Sequence, residues 1–548
     1  MMFSRLADRL KDDAVFWISS IGAFILHLVI AWRPLNCLEG FPLLYSHGPL
    51  FDDSYIYFKM SRDLADWYAG CNPSIQLSSG FQPLIALLYS LCFSLFWAHK
   101  ELPIHLALSL NAALGFFANV MLYRLLRRVI TRSSATFLAS VWMWSPYVMV
   151  QTVNGMETTL ALLLLLAALL YYRNISDRSE SKPAAWIALG MLIGIGFWAR
   201  VDLAFLGIAV ALDQLLQSFQ GKQPSITTAV RRICMCGCTA FTIALPWIIF
   251  TMITTGHILP VSGSAVRHIT SVFFDYMGKD PSGFPLAMLS YLGPELRLFQ
   301  PFAGLSSNLV WQLFISAAAL AGLIISLRDR HLRFLYRPFL LFQLIILVCY
   351  VLFIGGFWHF NRYLYPAYTL TLFFHAATLR TIESKLKAYL RYLPVAFALL
   401  FIPYAVTYAS QYYAFFRNPR PARYLSLALF AKEKVPPLPA VGAFQSGCLS
   451  YYLDNRVINL DGVINEHAHF HLKNKSLDSY LLEQEVEYIV EEEFLFRMWD
   501  DYLDGQISRH YALVAQIKRK GLPQLWRTLS IYKRKSSEST ARHLTPDT

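Results

Sequence analysis

Two adjacent carboxylates are the residues of this chain with the clearest potential for chemistry. Asp52 and Asp53 follow the first long apolar run, and Tyr55, Lys59 and Arg62 come shortly after them. Partial desolvation at a lipid boundary would raise the pKa of a carboxyl toward neutrality, so that it could take a proton from a hydroxyl as a general base. Cations on neighbouring loops would stabilise a departing phosphate. The combination fits transfer of a group from a lipid phosphate to a hydroxyl and requires neither a metal nor another cofactor.

Further ionisable residues occur in other loops beside apolar runs. Such a side chain at membrane depth is costly unless it is paired or lines a cavity, so it marks a functional site. The candidates for substrate binding in these loops are Glu157, Arg200, Asp202, Arg267, His268, His359 and Arg362. Structural roles stay open for some of them. Arg200 and Asp202 could form a structural pair, Glu157 could favour a helix N-terminus, and His359 and Arg362 could extend toward the interface.

The composition is that of an integral membrane protein. Of the 548 residues, 56% are hydrophobic and only 15% are charged, which excludes a series of ordinary soluble domains. A helix needs about 20 apolar residues to cross a hydrocarbon core. Many such runs are present, and we interpret the first, residues 14–32, as a retained anchor. The net charge of +13 lies in short loops between these runs, which indicates a membrane topology and not a nucleic-acid partner.

The distribution of Lys and Arg predicts the topology. The basic segments are the N-terminus and residues 124–132, 173–182, 222–232, 328–337 and 380–391. Because positive loops stay in the cytoplasm, the loops with the candidate residues are predicted to face outward together. Residues 81–97 form a shorter apolar run, which we predict to lie along the outer interface. The sequence therefore predicts a polytopic α-helical protein with about 11 transmembrane helices, its N-terminus inside and its C-terminus outside.

The residues after the aspartate pair predict an amphipathic helix. Tyr55 and Phe58 belong to an apolar flank, and Lys59 and Arg62 belong to a polar one. We expect this helix to lie on the outer membrane surface and to hold the aspartates at the mouth of a cavity.

The character of the chain changes after residue 416, where prolines and charged residues replace the long apolar runs. We predict a membrane domain over residues 1–416, in which the outer loop 33–103 carries the aspartate pair. Residues 417–532 are predicted to form a small outward-facing soluble α/β domain. Residues 533–548 are predicted to be a polar, disordered tail.

Three further signals leave alternatives open. Asp461 stands in "NLDG", where it could order a turn. The three histidines of residues 467–471 would share one face if this segment were a strand, but an exposed edge or loop is favoured and no metal site is predicted. Cys37 and Cys71 would lie in the same outer loop, where they could form a disulfide or remain thiols.

Six segments, taken in order, resemble a known family. They are "FDDSYIYFKMSRDLADWY", "NGMETT", "GFWARVD", "TGHILPVSGSAVRH", "WHFNRYLYP" and "VGAFQSGCLSYYLDNRVINLDG". Together they are similar to the C-type (GT-C) membrane glycosyltransferases, in particular to the bacterial polyprenyl-phosphate-sugar-dependent branch with arabinofuranosyltransferase-like and mannosyltransferase-like members. In this resemblance Asp52 matches the catalytic aspartate and Asp53 matches the second acidic position.

The resemblance implies an inverting transfer of a monosaccharide from a polyprenyl-phosphate carrier. The acceptor would be a hydroxyl of a cell-envelope glycan, glycolipid or protein at the outer face of the cytoplasmic membrane. It also gives Asp461 a second option, which is to bind hydroxyls of the acceptor sugar. The competing hypothesis is a transporter or flippase of a lipid-linked or polar solute. Clustering of the ionisable residues at one face, and not at the bilayer midplane, favours the enzyme.

Overall fold

The fold begins with a series of apolar helices. The computed structural model describes residues 13–35, 50–68, 78–176, 182–220, 224–278, 309–386, 389, 423–519 and 524–536. The helices of the apolar part are α1 (Ala14–Ala31), α2 (Asp52–Tyr68), α3 (Pro83–Leu95), α4 (Leu102–Leu126), α5 (Arg132–Trp144), α6 (Pro146–Thr152), α7 (Thr158–Ser176), α8 (Pro183–Ala199), α9 (Ala204–Phe219), α10 (Ile226–Thr255), α11 (Ser262–Tyr276), α12 (Leu309–Arg328), α13 (Arg330–Cys349), α14 (Phe360–Tyr363) and α15 (Tyr365–Leu386).

Six of the described helical segments are long and apolar enough to cross a membrane: residues 14–31, 102–126, 158–176, 201–219, 226–255 and 336–354. This agrees with a multi-pass membrane protein. Helix α3 has 13 residues, or about 20 Å at the usual helical rise, which is shorter than a hydrocarbon core. Its length therefore agrees with the prediction that residues 81–97 do not span. The count of eleven crossings stays a prediction, since residues 279–308 and 390–422 lie outside the described ranges.

Helix α2 differs from the expected surface helix. Tyr55, Ile56, Phe58 and Met60 are buried, and so is the acidic Asp63 on the supposed polar flank. The helix packs against α3 on one side and against a helix of the C-terminal region on another. The expectation that this helix lies on the outer membrane surface was wrong for its apolar flank, because α3 and the C-terminal region cover that flank. This contact between distant segments leaves no mark in the local pattern.

The C-terminal residues form a sheet with helices around it. This sheet region, residues 423–519 and 524–536, contains α16 (Tyr424–Lys434), β1 (Ala440–Ala443), α17 (Gly447–Tyr452), β2 (Val457–Asn459), α18 (Glu466–Lys473), α19 (Leu477–Glu483), β3 (Val486–Glu492), α20 (Glu493–Tyr502), α21 (Gln506–His510), β4 (Tyr511–Lys518) and β5 (Thr528–Arg534). The strand order is β2-β1-β3-β5-β4. Strand β1 is parallel to β2 and β3, whereas β5 is antiparallel to β3 and β4.

Two sequence expectations for this region need correction. Residues 466–473 form helix α18 and not a strand, so the alternation that would place three histidines on one face does not occur. Strand β5 continues to Arg534, and Lys533 is paired with Tyr488. The polar tail therefore begins later than residue 533. Residues 537–548, Cys37 and Cys71 lie outside the described ranges, so the disorder of the tail stays a prediction and the alternatives of a disulfide or two thiols stay open.

Candidate active site

A cavity of about 1530 Å³ lies between the apolar helices and the sheet region. It brings together residues from α2, the start of α7, the α8–α9 junction, the turn before α14 and the sheet region. Eight of the ten residues predicted from the sequence line it: Asp52, Asp53, Glu157, Arg200, Asp202, His359, Arg362 and Asp461. Residues that are up to 409 positions apart in sequence thus meet in one space.

Local sequence places the aspartate pair at the start of α2. The Ser54 hydroxyl accepts a hydrogen bond from the amide of Phe51 at 3.0 Å, and it donates one to the carbonyl of Asn154 at 2.6 Å. The next residue, Gly155, has φ of +70°, and a Cβ there would lie 2.6 Å from the Phe58 ring. Only glycine therefore fits beside α2 at this point. This packing holds the Asn154 loop, and with it Glu157, next to the two aspartates.

Asp53 faces two basic side chains, His359 just before α14 and Arg362 within α14. Its carboxylate lies 3.1 Å from Nη1 of Arg362 and 3.7 Å from Nε2 of His359. Burial alone would raise the pKa of Asp53, but the charge of Arg362, joined by that of His359 where the imidazole is protonated, holds the pKa of Asp53 below its usual value. Burial, together with the charge of Arg362, lowers the pKa of His359 to about 3. At neutral pH the imidazole is therefore uncharged, and Arg362 is the lasting counter-charge of Asp53.

Asp52 points to the sheet region. Its Oδ2 and Oδ1 accept hydrogen bonds from the backbone amides of Gly447 and Cys448, each at 2.8 Å. Burial raises the pKa of the Asp52 carboxyl to about 6, although the two amides act in the opposite direction. Each carboxylate oxygen has a second lone pair, and Asp52 also lines the cavity. The side chain combines a fixed position with a pKa close to neutrality.

A second pair of charged residues, Arg200 and Asp202, lines the cavity at the α8–α9 junction. Arg200 pairs with Asp202 and donates a hydrogen bond to the hydroxyl of Tyr350 at 3.2 Å. The Tyr350 hydroxyl donates to Asp202 at 2.9 Å, and its ring stacks on Tyr363 with centroids 4.1 Å apart. Arg200 is therefore part of a structural pair, as one reading of the sequence proposed, and it lines the cavity as well. The two roles are compatible, because a guanidinium has five N–H donors.

Glu157 lies near both Arg200 and Arg362. It immediately precedes α7, and its carbonyl accepts the amide of Ala161 at 2.9 Å. The residue is only 4% exposed, and its Oε2 atom has no hydrogen-bond partner among the described residues. A buried carboxylate oxygen without a partner is costly. Since this residue lines the cavity, a donor from a bound molecule would relieve that cost.

Asp461 contributes from the sheet region. Its carboxylate accepts the amide of Val463 at 2.9 Å, which is the turn-ordering role predicted from "NLDG". Burial raises its pKa to about 7, and the nearby Asp53 and Asp52 act in the same direction. The carboxyl therefore has a substantial protonated fraction near neutral pH, and in that form it can donate a hydrogen bond to a ligand.

Arg267 and His268 are not among the described residues that line the cavity. Arg267 donates hydrogen bonds to the carbonyls of Leu352 and Phe353, at 3.2 and 3.0 Å. His268 is hydrogen-bonded with the hydroxyl of Tyr502 at 3.0 Å. Both residues connect α11 to neighbouring elements, and the geometry does not support the expectation that they contact a substrate.

Some features of the site had no sequence signal. The amides of Gly447 and Cys448 belong to the backbone, and no residue type announces such a contact. Tyr350 and Arg423 also line the cavity. Tyr350 stands in an apolar segment, and Arg423 stands in a basic, proline-rich segment that predicts a domain boundary and not a site. In the described part of the chain, no group of three or more His, Cys, Asp or Glu residues is arranged to hold a metal ion.

Comparison with known proteins agrees with this architecture. The family model for dolichyl-phosphate-mannose-protein mannosyltransferase matches residues 81–250. A second model, for a domain of unknown function, matches residues 408–537. A search of the curated proteins found no match.

Two solved structures share the fold. The archaeal oligosaccharyltransferase AglB from Archaeoglobus fulgidus, in complex with an inhibitory peptide and a dolichol-phosphate, aligns with a TM-score of 0.53 and 14% identity over 95% of this chain and 74% of its own. ArnT from Cupriavidus metallidurans, bound to undecaprenyl phosphate, aligns with a TM-score of 0.54 and 15% identity over 95% of this chain and 98% of its own.

These findings agree with the resemblance drawn from the six ordered segments. The family match covers α3 to α10 and the fold similarity covers nearly the whole chain. The chain is therefore similar to a mannosyltransferase family over residues 81–250, and it shares the fold of AglB and ArnT over nearly its whole length.

Proposed function

We propose that this protein is an inverting glycosyltransferase that moves a monosaccharide from a polyprenyl phosphate to a hydroxyl. The observation that carries the proposal is the meeting of two aspartates and two arginines in one cavity beside the apolar helices. AglB and ArnT, which share the fold, were solved with a dolichol-phosphate and with undecaprenyl phosphate respectively. A lipid-linked phosphate is a good leaving group that needs positive charge around it.

Asp52 is the general base in this proposal. It takes the proton of the acceptor hydroxyl while the oxygen of that hydroxyl forms a bond to the anomeric carbon of the sugar. The bond from this carbon to the phosphate oxygen breaks at the same time, and polyprenyl phosphate leaves with the electron pair. The pKa of about 6 for Asp52 suits proton transfer near neutral pH. Asp53 has a lowered pKa and is the weaker base.

Arg362 and Arg200 bind the phosphate of the donor. Both are charged throughout the physiological range, and both line the cavity. The exposed fraction of the Arg362 side chain is 13%, so its attraction for a phosphate is only partly screened by water. Asp53 fixes the guanidinium of Arg362 through the contact at 3.1 Å. Glu157 and Asp461 bind sugar hydroxyls, the first as an acceptor and the second from the side of the sheet region.

The site faces the outside of the cytoplasmic membrane in this proposal. The basic loops between apolar runs support that orientation, and the sheet region would then be an outward-facing soluble domain. The acceptor is a hydroxyl of a cell-envelope glycan, glycolipid or protein. The membrane domain over residues 1–416 and the α/β domain over residues 417–532 would each supply one side of the cavity.

Turnover of a panel of radiolabelled polyprenyl-phosphate sugars by the purified full chain in vesicles tests the proposal. We expect transfer to a hydroxyl acceptor with inversion at the anomeric carbon. Arg362→Gln should reduce kcat/KM at least tenfold, since a charged hydrogen-bond partner of the phosphate is lost. The matched control is Arg497→Gln, because the side chain of Arg497 is 66% exposed and does not line the cavity. Movement of an intact lipid-linked sugar across the vesicle without transfer would instead support the transporter hypothesis.

A further inference from the structure

We propose that the sheet region positions the general base, with the backbone amides of Gly447 and Cys448 acting as positioning groups for the carboxylate of Asp52. This inference rests on the proposed function of Asp52 as the base. It assigns a role in the reaction to a region that matches the model of a domain of unknown function. The sheet region would then complete the active site and not act as a separate binding module.

The hydrogen bonds are the first observation. Gly447 and Cys448 are the first residues of α17, where backbone amides have no acceptor within the helix. Both instead donate to Asp52 at 2.8 Å, one to each carboxylate oxygen. Bonds from two amides to a single carboxylate are charge-assisted and fix the plane of the group. The orientation of the Asp52 carboxylate is thus set by residues that are 395 and 396 positions away in sequence.

The amides themselves are held in place from within the sheet region. Glu491, which is fully buried, accepts the amides of Phe444 and Gln445 at 2.8 and 2.9 Å through its Oε2 atom. Four amides between residues 444 and 448 are therefore shared between two carboxylates, one from β3 and one from α2. Glu491 fixes the segment to the sheet, and the free end of the segment reaches Asp52.

Close backbone approach is the second observation. A Cβ on Gly447 would lie 2.1 Å from the carbonyl oxygen of Asp52, far inside van der Waals contact. Glycine is required here because the backbones of α17 and α2 touch. A similar contact occurs at the other side of the cavity, where a Cβ on Gly80 would lie 2.2 Å from the carbonyl oxygen of Val463.

A third contact adds to those of Gly447 with Asp52 and of Gly80 with Val463. Lys100 donates to the carbonyl of Tyr452 at 3.3 Å, and the hydroxyl of Tyr451 donates to the carbonyl of Lys100. The sheet region is therefore attached to the segment around α2 and α3 at three separate places. A rigid attachment is what the proposal requires, since a shift of about 1 Å in a catalytic group can cost about 100-fold in rate.

Hydrogen exchange of the full chain tests the contact without relying on activity. The amides of Gly447 and Cys448 should be protected in the wild type. In Asp52→Ala they should exchange about tenfold faster or more, because the loss of a hydrogen bond worth about 1.4 kcal/mol changes the opening equilibrium tenfold. Asp53→Ala is the matched control and should leave these two amides protected, because Asp53 contacts Arg362 and not α17. Equal exchange of these amides in the wild type and in Asp52→Ala would overturn the proposal.

The pH dependence of Gly447→Ala tests the consequence for catalysis. Displacing the two amides removes hydrogen bonds that favour the charged form of Asp52, so the pKa of the base should rise. The acid limb of kcat/KM should then move to higher pH by about one unit. Gly237→Ala is the control, since nothing lies within 4 Å of a Cβ at Gly237. A purely structural role would lower the amount of active enzyme but leave the limb in place, and that result would contradict the proposal.

The two tests separate this inference from the proposed function. Hydrogen exchange reports the contact even if Gly447→Ala does not fold. If the wild type transfers sugar but the amides are insensitive to Asp52→Ala, the positioning role is wrong and the glycosyltransferase function stands. If the amides respond as expected but the wild type transfers no sugar from any donor, the contact is real and the proposed role of Asp52 is wrong.

Discussion

Replacement of Asp52 by Asn is the most informative single change, because it removes the proposed base and keeps nearly the same shape. General-base catalysis by a positioned side chain contributes about 10²–10⁴-fold to the rate. We therefore expect kcat for Asp52→Asn to fall by about that factor. The change should also weaken the attachment of the sheet region. Asn keeps one oxygen for the amides of Gly447 and Cys448 and turns an NH2 group toward the other, so one charge-assisted hydrogen bond, worth about 1.5–3 kcal/mol, is lost.

Two companion variants separate chemistry from position. Asp52→Glu keeps the carboxylate but moves it by about 1.5 Å, the length of one C–C bond, so we expect a loss of about 100-fold from misplacement alone. Asp53→Asn removes the partner of Arg362 at 3.1 Å but leaves the base in place. We expect a loss of about tenfold for Asp53→Asn, the equivalent of one charged hydrogen bond of about 1.4 kcal/mol.

The assay is single-turnover transfer from the best polyprenyl-phosphate sugar, with binding of the donor measured separately, so that chemistry and affinity are resolved. The order of activity should be wild type, then Asp53→Asn, then Asp52→Glu and Asp52→Asn. If Asp52→Asn stayed within tenfold of the wild type while Asp53→Asn lost 100-fold or more, the base would be Asp53. The argument from the pKa values of the two carboxyls would then be refuted.

Three further outcomes follow from the same geometry. The acid limb of kcat/KM should lie near pH 6, where Asp52 loses its proton. Asp53→Asn should move this limb to lower pH, because the charge of Asp53 raises the pKa of Asp52. A pH profile of each enzyme measures the limb, and a shift to higher pH in Asp53→Asn would contradict the prediction. Arg362→Lys should raise the Kd of the donor about tenfold, since a single ammonium replaces a planar fork with two donors toward phosphate, and equilibrium binding of the lipid phosphate is the check. Gly80→Ala should lower the Tm relative to Gly237→Ala. Its methyl would lie 2.2 Å from the carbonyl oxygen of Val463 in the sheet region, whereas the space around Gly237 is open. Equal Tm values for the two variants would argue against the close contact.

Much of the architecture was determined by sequence pattern, because hydrophobic length and charge act locally. An apolar run such as Ala14–Ala31 is long enough to cross a membrane, and the β-branched and aromatic residues of Val486–Glu492 are typical of a buried strand. The candidate residues could also be predicted from the sequence, since an ionisable side chain next to an apolar run has a high free-energy cost at membrane depth unless it has a function. Eight of the ten that were chosen on this basis line the cavity.

Only the tertiary structure distinguishes the environments of the two adjacent aspartates. Asp52 and Asp53 are neighbours of the same type, and no local rule distinguishes them. Their environments come from opposite directions, with the amides of Gly447 and Cys448 on one carboxylate and Arg362 on the other. Burial raises the pKa of Asp52, whereas His359 and Arg362, which are more than 300 positions away in sequence, lower that of Asp53. Both effects depend on how the helices and the sheet region pack and not on what stands beside a residue in the chain. Burial of α2 beneath the sheet region also results from packing between distant segments. The amphipathic pattern alone therefore led to the wrong prediction that α2 lies on a surface.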